Sequence, residues 1–213
     1  RSLIPTHNSR WFLRSAIDGL SACSDVVIGG IDLTGADEFL LWRDVIQRKA
    51  FTPEDAEVML DEALAEMDRR ARILADIAED DDPDNDTDEW HSGLGPAYVI
   101  FIDEYPQLVV FDGKGSMKDE PDLLSRCEKI LRVGRKYWVS LVVLAQKTGN
   151  SDFGSTVVKS QCTVSIAGPC DMSDTVNTFG VERRDAGYDP HLLSPGVKGD
   201  IRDRDAVRAA MGG

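Results

Sequence analysis

The stretch VIFIDEY, residues 99–105, places two carboxylates side by side at the end of an apolar run. Four apolar residues drive a buried strand and deliver Asp103 and Glu104 together at its tip. In a nucleotide hydrolase such a pair divides the work: the first acid holds magnesium through water, and the second polarises the attacking water. The same pattern also describes an ordinary strand that ends in a polar loop. A second apolar run, LVVLAQ, turns polar at Gln146. A neutral amide beside the same edge can sense a γ-phosphate by hydrogen bonding without adding negative charge. Taken alone, it too is simply a polar strand end.

These groups need elements to hold them. Residues 10–22 carry Phe12, Leu13, Ala16, Ile17 and Leu20 at helical spacing. DVVIGGIDL, residues 25–33, is a β-branched run and predicts a strand; FLLWRDVI predicts a short helix. Thr52 starts a strong helix, with Pro53 in the first turn and Glu54 and Asp55 at the positive end of the dipole. Leu60, Leu64, Met67, Ala71, Leu74 and Ala78 form its apolar stripe. Strands are expected at 97–105, 138–146 and 162–168, and helices at 119–134, 152–160 and over SDTVNTFG. The GKGS string within residues 112–116 follows the Asp-Glu strand, lacks GK-[ST], and is expected in a mobile loop rather than a phosphate loop. Apolar strands alternating with helices imply an α/β fold: a parallel sheet covered on both faces. Ligands in such sheets bind beyond the carboxyl ends of the strands.

Composition narrows the class. The chain has 213 residues, 42% hydrophobic and 29% charged, enough for one α/β domain with a real core. No run is long and apolar enough for a membrane span, and none reads as a signal peptide. The four cysteines lack C-x-x-C spacing and read as reduced residues of a cytoplasmic protein. A net charge of −14 argues against a chain that coats nucleic acid, though not against a local basic rim. Candidate basic groups are Arg69, Arg70 and Arg72; Arg132, Arg135 and Lys136; and Arg183 with Arg184. For any single cluster, a solvated helix face is the preferred reading. Much of the acid sits in one place: Glu79 to Glu89 holds eight carboxylates in eleven residues. Asp82, Asp84 and Asp86 have calcium-loop spacing, but Thr87 stands where that loop needs Gly and Gly93 where it needs Glu. Residues 79–95 therefore read as a solvated acidic loop.

The order EMDRRARIL, VIFIDEYPQLV, VGRKYWVSLVVLAQK and STVVKSQCTVSIAG…DMSDTVNTFG resembles the motor domain of the FtsK/SpoIIIE family, including its Tra/TraB-type plasmid-transfer members. The resemblance spans residues 9 to about 200. It implies a RecA-like P-loop NTPase of three-layer αβα architecture, hexameric and driven by ATP, that translocates double-stranded DNA. It further implies that Asp103 and Glu104 are the Walker B pair, that Gln146 is the sensor-like polar residue, and that Arg135 lies near a subunit interface. A membrane would be reached only through segments that this sequence does not contain.

That family carries G-x-x-x-x-G-K-[ST] ahead of its first helix, where glycine N–H groups and a lysine grip the phosphates. Here Ser9 occupies the final hydroxyl position, on magnesium, but RSLIPTHN precedes it. His7-Asn8-Ser9 resembles an intein junction: a terminal Asn cyclises, a His assists proton transfer, and the next residue supplies a hydroxyl. The alternatives are a chance match or a cloning remnant. On the intein reading residues 1–8 are an intein end, residues 9–213 are a partial motor domain, and the first strand and most of the P-loop are missing. This chain by itself is then expected to be inactive. A related RecA-like ATPase (a single-strand conjugation coupling protein or a type VII secretion ATPase) and a non-hydrolysing assembly module are the other readings.

Overall fold

The computed structural model describes residues 7–35, 38–79, 88–115, 122–149, 151–162, 165–167, 170 and 172–186. Within residues 1–164 the chain forms one compact unit. Its sheet has the strand order β2-β1-β3-β4, made of β1 (Val26–Asp32), β2 (Arg48–Ala50), β3 (Ala97–Asp103) and β4 (Val139–Val143). All three pairings are parallel, with Val26 opposite Ala97, Asp32 opposite Asp103 and Tyr98 opposite Val139.

Alternation along the strands divides the core in two. Tyr98, Ile100 and Ile102 of β3 face α2 (Pro53–Glu79) and α4 (Leu123–Val133), packing with Met59, Leu60, Met67, Cys127 and Ile130. Phe101, between them in sequence, faces the other way, with Ile28, Phe39 and Trp42 and with Leu13 and Ile17 of α1 (His7–Ser21). The sheet is therefore covered on both faces, which is why its strands read as continuous apolar runs. The fold is the expected α/β three-layer arrangement.

Local signals explain the element ends. Thr52 Oγ1 accepts from Asp55 N at 3.1 Å, capping α2. Asp122 Oδ1 accepts from Ser125 N at 2.6 Å and caps α4. At the other end of α4, a Cβ on Gly134 would collide with the Val139 carbonyl, so only glycine permits the tight 3-10 turn Gly134–Tyr137 into β4.

Two expectations about elements are corrected. The GKGS string is not a loop throughout: α3 runs Pro106–Gly115 and takes in residues 112–115. Pro106 supplies the preset φ of a helix start, Leu108 is fully buried, and Asp112 Oδ1 accepts from Leu123 N at 2.9 Å. The strand expected at 162–168 is not formed in its described residues, 162 and 165–167. Its β-branched composition permits a strand, but a strand exists only where it pairs. Conversely β2, which no pattern indicated, pairs with β1 through three residues of a charged segment. A separate unit, Ser165–Gly213, contains the expected helix as α6 (Met172–Phe179), followed by α7 (Val181–Asp185). Most of the acidic loop, residues 80–87, lies outside the described residues, as do residues 1–6.

Candidate active site

The parallel sheet brings the carboxyl ends of β1, β3 and β4 to one edge. Past the last paired residues the ladder continues: Leu144 N donates to Ile102 O at 2.9 Å and Tyr105 N to Leu144 O at 2.7 Å. These two bonds carry the tips of β3 and β4 forward together, so Glu104 and Gln146, 42 residues apart, meet. The Gln146 N–H donates to Glu104 Oε1 at 3.5 Å.

Glu104 holds a backbone φ of +49°, the left-handed region that a glutamate rarely occupies. That conformation makes the corner between β3 and α3: Gln107 N donates to Glu104 O at 2.8 Å, closing the first turn of the helix. The side chain is half-buried. Burial raises its carboxyl above the ordinary range; the Gln146 backbone and side-chain hydrogen bonds pull it back, and the charge of Asp152 adds to the rise. A carboxylate shifted toward neutrality at a strand tip suits a group that accepts a proton from water.

Beneath it, Tyr105 is fully buried and stacks on Phe153 with ring centroids 5.3 Å apart. Phe153 belongs to the loop after Gln146, which is itself tied down. Gly149 N donates to Asp152 Oδ2 at 2.9 Å, and Lys159 Nζ donates to Thr148 O at 2.6 Å from α5 (Thr156–Gln161).

Asp103, the last residue of β3, is half-buried at the same edge. Its register partner is Asp32, the last residue of β1 and fully buried. Asp32 Oδ1 accepts from Thr34 N at 2.9 Å and from Thr34 Oγ1 at 2.6 Å, shaping the turn that leaves β1. Sequence reasoning missed Asp32, although the signal was available: VVIGGID is another apolar run ended by an acid.

The remaining expected residues separate. Residues 22–25 join α1 to the amino end of β1, and α1 packs back along the sheet, so its first turn, with Ser9, points toward the carboxyl edge. His7, Asn8 and Ser9 all lie on the helical backbone of α1; their side chains lie outside the described residues. Arg135 stands at the opposite, amino edge of the sheet, 85% exposed, with Nη2 at 3.7 Å from Glu89 Oε1. Arg70, a candidate basic surface group, is buried. It donates to Glu66 at 2.6 Å, to Tyr137 O at 2.7 Å and to Pro96 O at 2.8 Å, and lies over the Trp90 ring at 4.7 Å. It clamps the amino edge and offers nothing to a nucleic acid. Among the described residues no cluster of His, Cys, Asp and Glu forms a metal centre by itself. Asp103 offers a hard oxygen of the type magnesium prefers, which fits a site completed by phosphates and water.

No family model matches the sequence, and no curated protein matches it. Solved structures do. The conjugation coupling protein TcpA of pCW3, a monomer form with ATPγS, superposes with a TM-score of 0.64 at 16% identity over 83% of this chain. The cytoplasmic domain of the type VII secretion ATPase EccC from Thermomonospora curvata superposes with a TM-score of 0.60 at 16% identity over 88% of this chain. The chain has the fold of these ATPase motor domains. It spans 49% of the first and 22% of the second.

Proposed function

We propose that this chain carries the hydrolysis residues of an ATP-driven motor of the FtsK/SpoIIIE type, acting on double-stranded DNA. The observation that carries the reading is the corner where Glu104, in a strained backbone and with a raised carboxyl, meets Gln146 beside Asp103. Magnesium, when bound, would neutralise phosphate charge. Asp103, with the Ser9 hydroxyl, would hold it. Glu104 would accept the proton of the attacking water, and Gln146 would report the γ-phosphate to the Glu104 corner through the hydrogen bond they share.

The motor would work as a homo-hexameric ring in the cytoplasm, with Arg135 at the subunit boundary and any membrane anchor on other segments. Its DNA would be chromosomal or a conjugative plasmid. The junction reading of His7-Asn8-Ser9 rests on the sequence alone. A second reading is a related ATPase, a conjugation coupling protein or a type VII secretion ATPase, and the two structural likenesses support it.

The test joins this chain to a G-x-x-x-x-G-K segment ahead of Ser9. Duplex DNA should stimulate ATP turnover, and Glu104→Gln should lower kcat by about 100- to 1,000-fold while ATP still binds. Turnover indifferent to DNA would favour the secretion reading. A joined protein that binds neither ATP nor DNA would leave the assembly module.

A further inference from the structure

Glu104 stands in a backbone conformation that its residue type disfavours, so its surroundings must hold it there. Part of that hold is local: Leu108 N donates to Tyr105 O at 3.0 Å, and Tyr105 N to Leu144 O at 2.7 Å. The rest comes from a segment that the chain reaches only later. Tyr105, the residue after Glu104, is fully buried, and its ring stacks on buried Phe153 with 26° between the planes. The two rings share one apolar cluster with Leu108 of α3, Cys127 of α4 and Val158 of α5.

On either side of Phe153 the loop is shaped to seat that ring. Ahead of it, the bond from Gly149 N to Asp152 Oδ2, 2.9 Å, turns the chain back. Directly after it, Gly154 has a φ of +64°, and a Cβ there would stand 2.9 Å from Leu124 Cδ1 and 3.1 Å from Val109 Cγ1. Only a glycine lets the loop close this far onto α3 and α4. From α5, Lys159 Nζ donates to Thr148 O at 2.6 Å and lies 5.8 Å from the centre of the Phe153 ring. Thr148 is two residues beyond Gln146, so these ties converge on the segment whose N–H reaches Glu104.

We propose that Phe153 is a positioning residue for ATP hydrolysis. Its ring holds Tyr105, so that Glu104 keeps its corner, and it anchors its own loop, so that Gln146 stays within reach of Glu104. One ring thereby sets both members of the pair. The role in hydrolysis rests on the motor reading above; the seating of the two strand tips rests on the contacts alone. A displacement of about 1 Å at a group that handles the attacking water costs up to about 100-fold in rate. The loss should fall on kcat and leave KM for ATP in place.

The experiment has two arms, each run on wild type, Phe153→Ala and Phe153→Leu. In the 213-residue chain, amide hydrogen exchange compares the two ends of the sheet. The tip amides are those of Leu144 and Tyr105; the reference is Tyr98, which donates to Trp138 O at 2.8 Å at the amino end of the same strand. Phe153→Ala should speed the tip amides about tenfold more than Tyr98, and Phe153→Leu about threefold more. Equal factors at both ends mean a general loss of stability and refute the seating, as do unchanged tips. In the protein joined to G-x-x-x-x-G-K, Phe153→Ala should lower kcat about 10- to 100-fold with KM for ATP within about twofold, and Phe153→Leu should recover part of the loss. An unchanged kcat, or a change confined to KM, refutes the positioning role. A wild-type joined protein without turnover overturns the motor reading instead, and the exchange arm still decides the seating. Where Phe153→Ala does not fold, Phe153→Leu carries both arms.

Discussion

Replacing Arg70 by methionine removes the clamp at the amino edge while keeping most of the side-chain volume. Four contacts go: the ion pair with Glu66, the donations to the carbonyls of Tyr137 and Pro96, and the stacking on Trp90. The Tyr137 carbonyl sits in a half-buried residue, so its lost partner costs about 1–3 kcal/mol. Pro96 is exposed, and water can replace the guanidinium there at about 0–1 kcal/mol. The cation–π contact is worth about 0.5–2 kcal/mol, and the share of Glu66 not already held by Arg69 about 1 kcal/mol. Burying the methionine returns about 1 kcal/mol. The net expectation is a loss of about 3 kcal/mol, a large part of a domain's usual 5–15 kcal/mol. Far-UV circular dichroism in urea should show the midpoint falling by about 1–2 M at unchanged slope. Arg70→Lys keeps a charge but loses the fork, and should fall between the two. A loss below about 1 kcal/mol for methionine, or an equal loss for lysine and methionine, would refute the clamp.

Two pH-dependent expectations accompany it. Hydrogen bonds from Arg69, followed by Arg70, hold the Glu66 carboxyl down at about 2 against an ordinary 4.5. Its contribution is present in full above pH 4.5 and is lost as pH falls toward 2, so the stability advantage of wild type over Glu66→Gln should close across that window in urea titrations. Glu104 has the opposite sign. Burial raises its folded-state carboxyl, so the folded protein binds the proton more readily and the charged form weakens the fold at neutral pH. Glu104→Gln should therefore be more stable than wild type at pH 7, with the gain shrinking as acid protonates Glu104. A gain that persists unchanged in acid would exclude the buried charge as its cause.

Much of the frame was legible in residue order. Continuous apolar runs announced a sheet buried on both faces. Thr52-Pro53 marked the start of α2, and the run ending in Asp103-Glu104 located the corner. Other features were hidden for physical reasons. The helix over Pro106–Gly115 depends on burial of Leu108 and on Asp112 reaching Leu123, whereas its Gly-Lys-Gly composition speaks for a loop. Arg70 looks like any cation on a helix, because its carbonyl partners lie 26 and 67 residues away.

The amino-acid order alone determined the alternation of strands and helices and the polar groups at the strand tips, since hydrophobic period and capping chemistry act over a few residues. Tertiary structure decided which tips became neighbours: Glu104 with Gln146 across β3 and β4, Asp32 with Asp103 across β1 and β3, and Arg135 on the far edge. Strand order and register are set by how whole elements pack, and no local pattern encodes them.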